Sequence, residues 1–127
     1  MDRNDLGRVI VNTPLDIDAI DWIPHGDQDG VRYKVLWQSG TTVLGLMQID
    51  PGAQNSEHTH AGAHHHILVM SGTCRMLDKD LPAGSYVYIP PEVPHAAVND
   101  SDEPCTFFYT YRPVEVDPTA DEPVIVA

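Results

Sequence analysis

Turn-forming residues recur so often in this chain that a long helix has little room to form between them. Eleven Pro and nine Gly are spread along 127 residues. Pro breaks a helix interior and Gly weakens one, so this spacing favours short strands joined by turns. The runs between them carry the β-branched and aromatic residues that strands prefer. Val31-Arg32-Tyr33-Lys34-Val35-Leu36-Trp37 alternates, which places Val31, Tyr33, Val35 and Trp37 on one face. Further strands are read at 41–49, 65–70, 73–77, 85–89, 95–98 and 105–112. Ser71-Gly72 between the runs 65–70 and 73–77 reads as the turn of a hairpin. Val9-Ile10-Val11 and Val124-Ile125-Val126 read as edge strands, and residues 15–23 hold one short helical turn at most. No stretch shows a 3.6-residue apolar period. The expected fold is all-β, a small antiparallel β-barrel or jelly roll.

The length suits a single domain. It divides into an acidic N-terminal segment at 1–30, a barrel at 31–112 and an acidic, Pro-rich tail at 113–127. The formal net charge is -12, from 7 Lys and Arg against 19 Asp and Glu. The two ends carry three-quarters of that charge, and residues 30–114 carry eight acids against five bases. Such a chain lacks the basic patch that nucleic acids and anionic membranes require, so neither is an expected partner. No apolar run approaches the roughly 20 residues of a membrane span. The start, Met1-Asp2-Arg3-Asn4-Asp5, is unlike a signal peptide, and a cytoplasmic location is expected. Cys74 and Cys105 are too few for a disulfide scaffold and are read as buried free thiols.

The histidines are the chemical signal. Five of the seven, His58, His60, His64, His65 and His66, fall within nine residues, far from either terminus. In an extended chain residues i and i+2 share a side, so His58 and His60 present two imidazoles together. Neutral imidazole is a ligand of zinc, iron, copper, nickel and manganese. The small residues Ala61-Gly62-Ala63 let the chain return with a third ligand. In the returning strand His65, Ile67 and Val69 share one face, and His64, His66 and Leu68 the other. Periodicity alone does not choose between the two sets.

Two spacings then matter together. Gly52-x5-His58-x-His60-x4-His65-x6-Gly72 resembles the first motif of the cupin superfamily, G-x5-H-x-H-x3,4-E-x6-G. Gly84-x5-Pro90-x-Glu92-x2-His95-x3-Asn99 resembles the second, G-x5-P-x-G-x2-H-x3-N. The first run is especially similar to the germin version. Two positions depart from the pattern. His65 stands where the family has a metal-binding glutamate, and Glu92 where it has a glycine.

The resemblance implies one divalent metal in the barrel, held by His58, His60, His65 and His95. His64 is the competitor for the third place. Such an all-histidine site resembles that of dioxygenase-like cupins, which cleave carbon–carbon bonds next to a carbonyl. Four neutral ligands leave the ion its full +2 charge, which strengthens it as a Lewis acid and as a partner for anionic chelators.

The resulting expectation is a non-haem iron(II) or manganese(II) dioxygenase acting on a small chelating carbonyl, enol or phenolic compound. Its alternatives are a zinc or nickel cyclase, isomerase or lyase, and a non-enzymatic cupin that binds metal or a small ligand. A homodimer is expected. Tyr33, Trp37, Tyr86, Tyr88, Phe107, Phe108, Tyr109 and Tyr111 are read first as barrel filling, with some of them lining the pocket.

Overall fold

The computed structural model describes residues 9–58 and 62–113. Its one described helix, α1 (Pro14–Asp18), is short because its sequence supplies ends and little middle. Pro occupies its first turn, and Thr13 and Asp16 form a reciprocal capping box, with Asp16 N–H donating to Thr13 Oγ1 at 3.3 Å and Thr13 N–H to Asp16 Oδ2 at 2.9 Å. No helix among the described residues is long and apolar enough to cross a membrane.

Two antiparallel sheets make up the rest. The larger contains β1 (Ile23–Pro24), β2 (Val31–Ser39), β3 (Thr42–Ile49), β5 (Ala63–Ser71), β8 (Tyr86–Ile89) and β10 (Cys105–Pro113), in the order β1-β2-β3-β10-β5-β8. The smaller contains β4 (Gln54–His58), β6 (Thr73–Met76), β7 (Lys79–Pro82) and β9 (His95–Val98), in the order β4-β9-β6-β7. This is the expected all-β jelly roll.

The core lies between the sheets. Ile49, Ile67, Val69, Met76 and Ile89 are buried from opposite sides, with Phe107 from the central strand β10. Full burial of one such side chain stabilises by about 1.5–3 kcal/mol. Cys74 and Cys105 are both fully buried and not disulfide-bonded.

Three local expectations are corrected. The runs 65–70 and 73–77 do not form a hairpin. β5 pairs with β10 and β8, whereas β6 pairs with β7 and β9. The chain passes between sheets at Gly72, whose φ of +74° and close approach to the Pro104 carbonyl leave no room for a Cβ. Val9-Ile10-Val11 is not strand; the sheet edge is Ile23–Pro24, where a proline at the rim is tolerated. Trp37 does not share the face of Tyr33 and Val35. The β2–β3 register shifts between Val35 and Trp37, so Gln38 joins Tyr33 and Val35 on the inner cavity wall, and Trp37 lines an outer surface hollow with Ile10 and Asn12. The run Val124-Ile125-Val126 lies outside the described residues.

Beneath α1, Lys34 is buried to 3% exposure. Its ammonium donates to the Ile17 carbonyl at 2.9 Å and sits 4.4 Å from the centre of the Trp22 ring. A hydrogen bond and a cation–π contact together offset the desolvation of its charge.

Candidate metal centre

Three strands from both sheets bring three histidines together. His58 closes β4 and His95 opens β9, and the two are cross-strand partners. Their ring centroids lie 4.3 Å apart. His65 comes from β5 in the facing sheet, with its ring 5.3 Å from that of His95. His65 and His95 are each 4% exposed. His60, the fourth histidine of the motif, lies outside the described residues. Among the described residues, no group of three His, Cys, Asp or Glu side chains converges as closely as metal ligands do.

The hydrogen bonds nevertheless prepare these rings as ligands. His58 Nδ1 lies 2.6 Å from the Ser56 carbonyl, and His95 Nδ1 lies 3.0 Å from the Val93 carbonyl. A carbonyl can only accept, so each Nδ1 carries the proton and each Nε2 the lone pair. That is how ligand imidazoles are oriented in metalloproteins. Burial lowers the His95 pKa below its ordinary value; the Val93 hydrogen bond partly opposes this, and the neighbouring His58 adds to it. Both ring nitrogens of His65 and Nε2 of His95 are shielded from solvent. In donor chemistry, tautomer and burial, the residues present fit a divalent transition ion.

The parity question in the returning strand has a structural answer. His65 faces the interior, its ring 4.5 Å from that of Tyr111 and tilted 40° to it. His64 and His66 are on the outer face, each hydrogen-bonded at 2.7 Å to a tyrosine hydroxyl, Tyr88 and Tyr86 respectively. Burial, with smaller contributions from His64 and Arg112, lowers the His66 pKa.

A void of about 10 Å³ lies among the three inner histidines, walled by Met47, Asn55 and Tyr111 among others. That is room for about one water-sized ligand. Next to it an open cavity of about 470 Å³ is lined by Pro24, His25, Tyr33, Gln38, Tyr109 and Tyr111, among others. The two spaces share Met47 and Tyr111 as walls. Burial, with Tyr33 adding, pushes the Tyr109 phenol up to about 12; burial, with Tyr109 adding, raises Tyr111 further. Both hydroxyls therefore stay protonated at neutral pH and can donate to a ligand.

The sequence reading missed the support behind this wall. Neither Asn55 nor His25 is a fixed position of either motif. Asn55 is buried to 5% exposure and accepts from Gln28 Nε2 at 2.9 Å. Gln28 Nε2 also lies 3.0 Å from His25 Nδ1, and Gln28 Oε1 accepts from Ser56 N–H at 2.5 Å. One glutamine thus ties the cavity histidine to the strand that holds His58. The sequence of β4, Gln-Asn-Ser-Glu-His, has no apolar alternation that could mark Asn55 as inward; only the fold shows it.

Solved structures share this architecture. The complex of SigE with the anti-sigma ChrR from Rhodobacter sphaeroides matches at 24% identity and a TM-score of 0.66, over 75% of this chain and 50% of the other. This chain therefore spans about half the length of that match. A predicted oxalate decarboxylase from Thermotoga maritima matches at 16% identity and a TM-score of 0.70, over 83% of this chain and 100% of the other. The polyketide cyclase RemF from Streptomyces resistomycificus matches at 18% identity and a TM-score of 0.66, over 80% and 84%. At these identities the likeness shows the fold alone. No curated protein sequence matches the chain significantly. The family model described as the ChrR cupin-like domain matches residues 11–115, beginning before and ending after the barrel read from the sequence. With both cupin motifs in place and that model spanning most of its length, the chain belongs to the ChrR cupin-like family of the cupin superfamily.

Proposed function

We propose that this protein is a metal-dependent cupin enzyme of the dioxygenase type, acting on a small chelating carbonyl, enol or phenolic compound. The observation that carries the reading is the shared wall. A cavity of about 470 Å³ adjoins the histidine cluster through Met47 and Tyr111, and cavities of a few hundred Å³ suit small organic ligands. His58, His60, His65 and His95 would hold the metal. Iron or manganese supplies electrons for dioxygen chemistry when bound, and zinc or nickel supplies Lewis acidity without redox change.

The chain's own groups do the rest. Tyr33, Tyr109 and Tyr111 present flat faces and hydroxyls, which suits a planar oxygenated ligand. Tyr109 and Tyr111, protonated at neutral pH, donate to an anionic oxygen of the substrate. Gln38 and His25 add polar groups to the cavity lining. Val35, Val43 and Met47 add apolar wall for the ligand to pack against. The chain is taken to act as a homodimer.

The test is metal analysis of untagged protein together with oxygen uptake on 1,3-diketones and hydroxyacetophenones. Uptake that requires iron or manganese and is lost in His58→Ala is the expected result. Stoichiometric zinc, with no uptake after iron reconstitution, overturns the oxygenase reading. A second reading has its own observation. The void among the histidines is only about 10 Å³, which suits a metal-binding module with no substrate at the ion. Under that reading no diketone or phenol binds to the metal-loaded protein in calorimetry.

A further inference from the structure

The outer face of the larger sheet carries a histidine pair that the barrel does not use. His64 and His66 flank His65 on β5, so strand alternation turns both away from the interior. Each ring is held by a tyrosine of the neighbouring strand β8. His64 Nδ1 lies 2.7 Å from the Tyr88 hydroxyl, and His66 Nδ1 lies 2.7 Å from the Tyr86 hydroxyl. The four rings form a stacked ladder. His66 lies 6.0 Å from Tyr86 at 21° and 5.0 Å from Tyr88 at 31°, and His64 lies 5.8 Å from Tyr88 at 27°. Tyr86 is 61% exposed and Tyr88 42%, so the ladder is open to solvent.

We propose that this ladder is a second metal site, on the protein surface, for a divalent ion of the imidazole-preferring kind such as copper, nickel or zinc. Its protein ligands are Nε2 of His64 and Nε2 of His66, with water completing the shell. Two residues apart on a strand, their Cα atoms are separated by about 6.7 Å, a span two imidazole side chains can bridge to one ion. When the tyrosine oxygen accepts from Nδ1–H, Nε2 carries the lone pair, and the hydroxyl fixes the ring plane as a carboxylate or carbonyl does in other metal sites. The net charge of -12 draws cations to the surface.

One neighbour works against the ion. Arg112 on β10 is the cross-strand partner of His64, and its guanidinium repels a dication. The site is therefore weaker than a four-histidine cage, and Arg112→Gln tightens it.

The test is calorimetric titration of the full, EDTA-stripped chain with nickel chloride, with circular dichroism to confirm folding. His64→Ala/His66→Ala is expected to bind one equivalent fewer than the wild type. His58→Ala/His95→Ala is expected to keep that equivalent, so failure at the barrel and failure at the ladder are read separately. Tyr86→Phe/Tyr88→Phe is expected to keep the equivalent with affinity about 10-fold weaker. A folded His64→Ala/His66→Ala chain with the wild-type stoichiometry overturns the proposal. So does a folded His58→Ala/His95→Ala chain that binds no nickel.

Discussion

His58 and His95 are held by the same device. Each is the partner of the other across β4 and β9, and each places its Nδ1–H on the backbone carbonyl two residues earlier, Ser56 or Val93. The matching tautomers leave Nε2 as the basic atom on both rings. Removing either imidazole takes away a ligand of the proposed site. His58→Ala and His95→Ala are each expected to lower metal affinity by more than about 100-fold, beyond the usual effect of losing only a supporting hydrogen bond. Competition with a chelating dye measures it; unchanged affinity in both variants means the metal sits elsewhere.

Tyr111 separates the histidine void from the larger cavity. Tyr111→Ala is expected to join the two spaces and to destabilise the fold by about 3 kcal/mol, since truncating a large aromatic leaves a cavity. Urea denaturation gives the stability. Tyr111→Phe keeps the wall, so its stability stays within about 1 kcal/mol of the parent.

A stability effect of similar size is expected just past the end of β9. Asn99 is fully buried and uses its whole amide. Its Nδ2 donates to the carbonyls of Ile49 at 2.9 Å and Glu103 at 2.7 Å, and its Oδ1 accepts from Ser101 N–H at 3.0 Å and Ser101 Oγ at 2.6 Å. Asn99→Ala removes the side-chain partner of the Ile49 carbonyl and of Ser101 N–H, leaves the Glu103 carbonyl only Ser101 Oγ, and frees the loop, at a cost of about 2–3 kcal/mol. A change below about 0.5 kcal/mol in chemical denaturation would show the network to be dispensable.

The Arg32–Asp50 pair predicts a pH effect of known sign. Arg32 donates to both carboxylate oxygens of Asp50, at 3.1 and 2.7 Å, and holds its pKa below the usual carboxylate value. A carboxylate with a depressed folded pKa contributes stability above its unfolded pKa, near 3.9, and loses it as pH falls through the folded value. The pair is partly solvent-exposed, so the contribution is small and screened by salt. Asp50→Asn should therefore lower the melting temperature slightly and evenly between pH 5 and 8, with the difference closing below about pH 3. A difference that grows on acidification contradicts the assignment.

Cys74 and Cys105 provide a check on the core itself. Each has no exposed surface, and the Cys105 thiol and burial together raise the Cys74 pKa. Neither thiol should react with Ellman's reagent in the native protein, and both should react in guanidinium chloride. Rapid native labelling would mean that the sheets part readily.

The strands legible in the sequence were those with an apolar face to alternate. β2, β3, β5 and β10 carry that pattern because one face of each meets the core. β4 (Gln54–His58) and β7 (Lys79–Pro82) do not, because Gln-Asn-Ser-Glu-His and Lys-Asp-Leu-Pro have almost no apolar residues to reveal a period. Ser71-Gly72 was misread because a glycine with positive φ serves a tight hairpin and a passage between sheets equally well. The histidine constellation was legible because motif spacing survives in one dimension. The roles of Gln28, Asn55 and Asn99 were not, since their partners are distant in sequence: Gln28 reaches Asn55 and Ser56, and Asn99 reaches Ile49. Periodicity left His64, His65 and His66 unseparated and the motif spacing named His65; Tyr86, Tyr88 and Tyr111 show which ring meets which neighbour.

The place of β10 has a consequence for biosynthesis. It is the last described strand, yet it lies in the middle of the larger sheet between β3 and β5. Until the ribosome has released it, β3 and β5 both present bare hydrogen-bonding edges, which invite pairing with other chains. Closure of the barrel must therefore wait until residues 105–113 have left the ribosome. A ribosome stalled before residue 105 would display an open sheet, and the nascent chain at that stage is the form most dependent on a chaperone.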